Sequence, residues 1–264
     1  MRRSAVAGQF YPGGERELRN MIGDLAPQRT PSKIRASGIV VPHAGYVYSG
    51  GIAAEVYASI EPADTFVLLG PNHYGYGSPV ALSTQPWNTP LGTVDIDTEF
   101  IDLLPPGIID TDELAHRSEH SIEVQIPFLQ YFFKDFKIVP IALGMQDYDT
   151  AREVAGELVT AIKKHGVKRT VIVASSDFTH YEDIEVARQK DSSMISAIER
   201  LDVPAFYDEI YRLNATCCGY GPIGSMLLAS RELGAKTGKL LKYATSGDVT
   251  GDRQVVGYAG IIVY

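Results

Sequence analysis

The sequence predicts an α/β fold: a three-layer domain whose central, mostly parallel sheet carries helices on both faces. Three observations point there. Continuous apolar, β-branched runs occur at Gly38-Ile39-Val40-Val41, Phe66-Val67-Leu68-Leu69 and Val171-Ile172-Val173-Ala174, and short runs of this kind are strands buried on both faces. Segments with helical apolar spacing alternate with them, as in repeated strand–helix units. Each run stops abruptly at a histidine-bearing loop, with His43, His73 and His180 respectively. In such a sheet the carboxyl ends of the strands share one edge, and ligands sit in the crevice there.

Along the chain, Gln9 to Gly14 is turn chemistry, and Glu15 to Leu25 is an amphipathic helix closed by Pro27. Ser49 is the expected N-cap of a helix through Ala53, Ala54, Val56 and Ile60. The region holding Pro79, Pro86, Pro90, Pro105 and Pro106 reads as surface hairpins and loops rather than core strands. From Glu119, Ile122, Ile126, Leu129 and Phe133 recur at helical spacing, and a strand Lys137 to Leu143 follows. Helices are predicted over Asp149 to Lys164, Ile184 to Leu201, Pro204 to Leu213 and Pro222 to Leu233, then strands over Leu240 to Thr245 and Gln254 to Val263.

The 264 residues hold no Ser-, Gly- or charge-rich linker, so residues 1–264 read as one domain. A net charge of −8 with scattered lysines excludes a phosphate-tracking nucleic-acid surface. No apolar run long enough to span a bilayer is present, and the first residues lack a secretory pattern, so a cytoplasmic protein without membrane partners is expected. Two adjacent cysteines, Cys217 and Cys218, exclude a disulfide framework. Tyr131-Phe132-Phe133 is an apolar stretch suited to a homo-oligomer contact.

Three of the six histidines lie at strand ends. His43 sits in a glycine-punctuated loop with Tyr46 and Tyr48, which can bring an imidazole and two phenols to one point. With His73 it forms half of a metal site on what are expected to be adjacent strands, since neutral imidazole is the commonest metal ligand. Asp177 and His180 fit a carboxylate orienting an imidazole for proton transfer. One cysteine of Cys217-Cys218 precedes a helix start, where the dipole favours thiolate, while the other is packing. Glu119 and His120 sit at a helix start, within reach of the cleft or of solvent; His116 and His165 read as surface residues.

His-Ala-Gly-Tyr, Pro-Asn-His, Glu-His-Ser-Ile-Glu, Ser-Ser-Asp-Phe-Thr-His and Cys-Gly-x-x-Pro-Ile-Gly, in this order along nearly the whole chain, together resemble the Memo family, whose prokaryotic members are labelled AmmeMemoRadiSam system protein B. That resemblance implies a fold similar to the LigB-like class III extradiol dioxygenases, which are non-haem iron enzymes. It implies metal-facing His43, His73 and Cys218, with Asp177 and His180 beside them and Tyr48 lining the cleft. A thiol then stands where the dioxygenases carry a carboxylate, which admits Fe(II) first and Cu or Zn besides. The expectation is a metal-dependent, dioxygenase-like oxidoreductase acting on an unknown small molecule or peptide. Two further expectations differ in class: a metal-free Cys-His-Asp hydrolase with Cys218 as nucleophile, and a non-catalytic pocket for an anionic or phenolic peptide group.

Overall fold

A computed structural model describes residues 1–29, 31–165 and 170–264. Helix α1 (Glu15–Leu25) is followed by strand β1 (Gly38–Val41), α2 (Tyr46–Ser59) and β2 (Thr65–Pro71). Short elements come next: β3 (Val80–Leu82), β4 (Trp87–Thr89), β5 (Gly92–Val94), α3 (Thr98–Ile101) and β6 (Asp110–Thr111). A 3₁₀ turn at Glu123–Gln125 leads into α4 (Ile126–Phe132), then β7 (Lys137–Leu143), α5 (Tyr148–His165), β8 (Thr170–Ser175) and β9 (His180–Asp183). The chain ends with α6 (Ile184–Glu199), α7 (Val203–Arg212), α8 (Tyr220–Glu232), β10 (Gly238–Thr245), α9 (Gly247–Thr250) and β11 (Gln254–Val263).

The main sheet runs β10-β11-β1-β8-β2-β7-β3-β6, with β9 paired to β11. Its centre, β1-β8-β2-β7, is parallel throughout, and its flanks turn antiparallel at β11 and β3. Alternate residues of each central strand enter opposite cores. Val40, Val67, Leu69 and Ile141 pack under α5, α6, α7 and α8; Ile39, Phe66, Leu68 and Ile138 pack under α1, α2 and α4. Both faces are therefore covered, and this is why the strands read as unbroken apolar runs. Each such Leu or Ile removed from water contributes about 2 kcal/mol, less the cost of ordering it.

Several expectations change. Val80 to Leu82 is fully buried and pairs with β7 inside the main sheet, because Pro79 lies just before the strand and withholds no ladder hydrogen bond. The Trp87–Thr89 and Gly92–Val94 strands do form a separate hairpin. Helix α2 begins at Tyr46 with Gly45 as its cap, and Ser49 lies inside it, donating to the Ala44 carbonyl at 3.1 Å. His116 is fully buried and hydrogen-bonded through Nε2 to the Ala81 carbonyl at 2.9 Å. His165 is half-buried, edge-on to Phe100 at 5.7 Å. Of the Tyr131-Phe132-Phe133 stretch only Tyr131 is exposed, and Phe133 is buried against Tyr57 and Phe66. Among the described residues, no helix is long and apolar enough to cross a membrane.

Candidate metal centre

The loops after β1, β2 and β8 and the residues entering α8 meet at the carboxyl edge of the parallel strands. β1 and β2 are not neighbours: β8 lies between them. The loops nevertheless bring the His43 and His73 rings to 5.2 Å, edge to face. One donor atom from each of His43, His73 and Cys218 lies within 4.8 Å of the others, and Cys218 Sγ is 3.1 Å from His43 Nε2. Residues 175 positions apart thus share one point.

A hydrogen-bond chain sets the tautomer of each imidazole. The single Ser175 hydroxyl proton goes to the Ser121 carbonyl at 2.6 Å, so Ser175 Oγ can only accept from His43 Nδ1 at 3.0 Å and Gln125 Nε2 at 2.8 Å. Tyr57 donates to Gln125 Oε1 and Gln125 donates to the Pro42 carbonyl, which completes the chain. His43 therefore carries its proton on Nδ1 and turns the bare Nε2 toward Cys218. Burial, then the neighbouring His120 and His73, hold His43 well below the usual imidazole range, so this ring is neutral at pH 7.

His73 is held by the buried Glu119, whose Oε2 accepts from the His73 backbone N–H at 2.6 Å and whose Oε1 accepts from His73 Nδ1 at 2.9 Å. Oε1 also accepts from the backbone N–H groups of His120 and Ser121 at 2.9 and 2.8 Å. A carboxylate gripping an imidazole on the nitrogen away from the site is the usual support of a metal ligand. Burial alone would raise the Glu119 carboxyl, but these donors outweigh it and hold it at about 2. Glu119, His73 and His120 also form a group of potential ligands, yet Oε1 already receives three N–H donors, so Glu119 serves to orient. The His120 ring stacks on His73 at 4.7 Å and lies beneath Phe10 at 4.7 Å.

Cys218 is brought in by close backbone packing. A Cβ on Gly219 would lie 2.4 Å from the Ser175 carbonyl, so only glycine lets this turn press against the end of β8. Its N–H donates to Ser176 Oγ at 2.9 Å. Gln146 accepts from Gly221 N–H and donates to the Cys218 carbonyl, both at 2.9 Å. The Asp177 N–H points at Cys218 Sγ from 3.3 Å. Burial, Asp177 and Cys217 push the Cys218 thiol well above its ordinary range. The helix start expected to favour thiolate is outweighed, and a thiolate here needs a cation. Cys217 is buried packing beside Ser176, its thiol pushed up to about 12 by burial.

Two expectations are corrected by this geometry. Asp177 does not orient His180: its Oδ1 accepts from the His43 backbone N–H at 2.8 Å, and burial raises it to about 6. The His180 ring is instead held by the Thr216 carbonyl, which accepts from Nδ1 at 2.8 Å, with the His180 N–H on Thr216 Oγ1 at 2.7 Å. Tyr46 does not face the cleft; as the first residue of α2 it is buried, donates to the Val124 carbonyl at 2.7 Å and stacks on Phe128. Tyr48, half a turn on, is exposed and lines a cavity of about 550 Å³ over the site with His43, His73, His120, Asp177 and His180.

The support beneath the site includes residues that sequence reasoning missed. Arg2 is buried, stacked 3.9 Å over Trp87, and donates to the carbonyls of His116 and Glu119 at 2.7 and 2.6 Å. It also meets Glu123 at 2.6 Å, which accepts from Ala5 N, Val6 N and Tyr11 Oη besides. The 116–123 loop is wrapped around this guanidinium. The signal was a lone Glu123 between Ile122 and Val124, a charge placed where the periodicity is apolar.

A family model described as Memo-like protein matches residues 2–262. The chain belongs to the Memo family. It is 58% identical to a MEMO1 family protein of Methanosarcina acetivorans, covering 100% of this chain and 99% of that one. The corresponding protein of Archaeoglobus fulgidus is 51% identical, with 99% of each chain covered. The solved structure of uncharacterized protein JW3007 from Escherichia coli K12 superposes with a TM-score of 0.54 over 86% of this chain and 100% of that one. At 12% identity that likeness concerns the fold alone.

Proposed function

We propose that this Memo-family protein is a metal-dependent oxidoreductase whose His43, His73 and Cys218 hold a non-haem metal, iron first. The observation that carries the reading is the donor set itself: two imidazoles and one thiol within 4.8 Å, each imidazole gripped on Nδ1 so that Nε2 is free. These residues fit such a group. Two borderline nitrogens and one soft sulfur suit Fe(II), Cu(I) or Zn(II) and not a hard cation. The raised Cys218 thiol fits too, because a bound cation is what stabilises its deprotonated form.

When bound, the metal would supply a Lewis-acid and one-electron centre with positions left for ligands. The protein supplies the remainder. His180, held by Thr216, presents Nε2 to the cavity and can take or return a proton at a bound ligand's oxygen. Asp177 locks the His43 loop through backbone hydrogen bonds rather than relaying protons. Tyr48 and Phe10 narrow the cavity and limit water.

Geometry favours this over a metal-free hydrolase. In that reading Cys218 needs His180 as its base and Asp177 behind it, yet Cys218 Sγ meets His43 Nε2, and His180 is bonded to Thr216. Metal analysis of anaerobically purified protein tests the proposal. About one equivalent of transition metal is expected in wild type, with a marked loss in both His43→Ala and Cys218→Ala; equal content in all three overturns the ligation.

A further inference from the structure

The cavity above the site has a charge pattern that narrows what it accepts. Among the described residues no Lys or Arg lines it, and its carboxylates are Asp177 near His43 and Asp252 at the far end, just before β11, whose antiparallel register with β1 carries its start beyond the carboxyl end of β1. Asp252 is exposed and carries no ion pair among the described residues. Its neighbour Arg253 is occupied by Asp183, at 2.8 Å from Nη2 and 3.1 Å from Nε. Recognition of a phosphoryl or carboxylate group at that end would require the cationic fork or long helix start that such anions use. The described lining there has no Lys or Arg and its Ser246 opens only the four-residue α9, while the start of α2, capped by Gly45, lies beside His43 at the other end.

The walls between are aromatic. Phe10, Tyr48, Tyr181 and Tyr258 all line the cavity. Tyr181 is held there at a cost. In the β9–β11 pairing Val255 opposes Glu182 and Val256 opposes His180, so Tyr181 is the extra residue of a bulge. Its φ of +56° lies in the left-handed region that an aromatic residue rarely adopts. Its side chain is 77% exposed, so packing against the core does not offset the strain. Strained residues of this kind concentrate where a ligand is gripped, and a bulge is the usual device for re-aiming one side chain out of a ladder.

We propose that the cavity takes a planar aromatic ligand whose end remote from His43 and His73 is an organic ammonium, received by Asp252 between aromatic walls. The ring lies against Tyr181 and Tyr48, whose faces attract both a ring and a cation. Asp252 and Thr250 meet the ammonium. This rests on the metal reading only for the orientation of the ligand; the charge preference belongs to the cavity.

Calorimetry with three aromatic probes tests it: tyramine, 4-hydroxyphenylacetate and phenyl phosphate. With metal-loaded protein at low salt, tyramine is expected to bind about tenfold more tightly than either anion, and the ratio to shrink as salt screens Asp252. Asp252→Asn should bring the tyramine preference to about twofold or less, and Asp252→Lys should reverse it. Tyr181→Ala should weaken all three probes, about threefold to tenfold, and tyramine at least as much as the two anions. Tighter binding of either anion by wild type overturns the proposal, as does a preference unchanged in Asp252→Asn. Repeating the series on metal-free protein separates the two readings: a surviving tyramine preference in a protein that takes up no metal leaves the cavity assignment standing and the metal assignment refuted.

Discussion

Replacing Glu119 by Gln keeps the shape of the side chain and removes what it does. A Gln can keep its oxygen at the Oε1 position, facing His73 Nδ1 and the N–H groups of His120 and Ser121. Its amide nitrogen then stands at the Oε2 position, donor against donor with the His73 N–H, 2.6 Å away. The structure also supplies a magnitude. The carboxyl is held at about 2 against an ordinary 4.5, and that difference of roughly 2.5 units corresponds to about 3 kcal/mol favouring the buried anion. We therefore expect Glu119→Gln to lose about 2–3 kcal/mol of stability at pH 7 and to bind metal about 10- to 100-fold more weakly, as when the group behind a ligand imidazole is removed. Denaturant unfolding of metal-free protein reads the first and competition with a chromophoric chelator the second. The sign with pH is set by the depressed value. The contribution is complete above the unfolded carboxyl range and is lost as pH falls toward 2, so the gap to wild type should close by roughly half between pH 7 and pH 3. Wild-type metal affinity in Glu119→Gln, or a gap that does not narrow in acid, would refute the argument.

Three further outcomes are expected. In metal-free protein at pH 7.5, Cys218 should react with iodoacetamide at least about tenfold more slowly than free cysteine, because its thiol is pushed up by burial, Asp177 and Cys217; rapid labelling would instead favour a nucleophilic role. Burial lowers the His116 imidazole to about 4 from 6.5. The unfolded chain therefore gains the proton first as pH falls, and wild type should lose about 2 kcal/mol more than His116→Gln between pH 7 and pH 5, measured by denaturant midpoints. Arg2→Met leaves Glu123 as a buried carboxylate without its cation, and should cost about 3–5 kcal/mol and loosen the 116–123 loop, visible as faster amide exchange there. Unchanged exchange in the variant would show that the guanidinium does not organise that loop.

The fold was legible because its centre obeys a local rule. β1, β2, β7 and β8 are buried on both faces, so their apolar runs announce themselves, and β7 and β11 begin and end where composition says they should. β3 was not legible. Three residues among prolines carry no period, and only pairing with β7 makes them core. In the site, the imidazoles and the thiol stood out by type, but their partners did not. That Glu119 grips His73, or that Thr216 rather than Asp177 holds His180, depends on loops meeting across 46 and 36 residues, for which the chain has no local mark. Tyr46 misled for a related reason: it and Tyr48 are two residues apart, and once α2 starts at Tyr46 they point to different sides of the helix.

The donors His43, His73 and Cys218 come from three separate stretches of a 264-residue chain. A zinc-finger peptide gathers ligands from a short segment and folds around its ion; here the polypeptide must assemble first. On the proposed ligation, ion capture would be a late event in biogenesis, and occupancy would report whether the carboxyl-terminal third has docked. A chain stalled before residue 218 would hold two of the proposed donors, both imidazoles, and lack the sulfur.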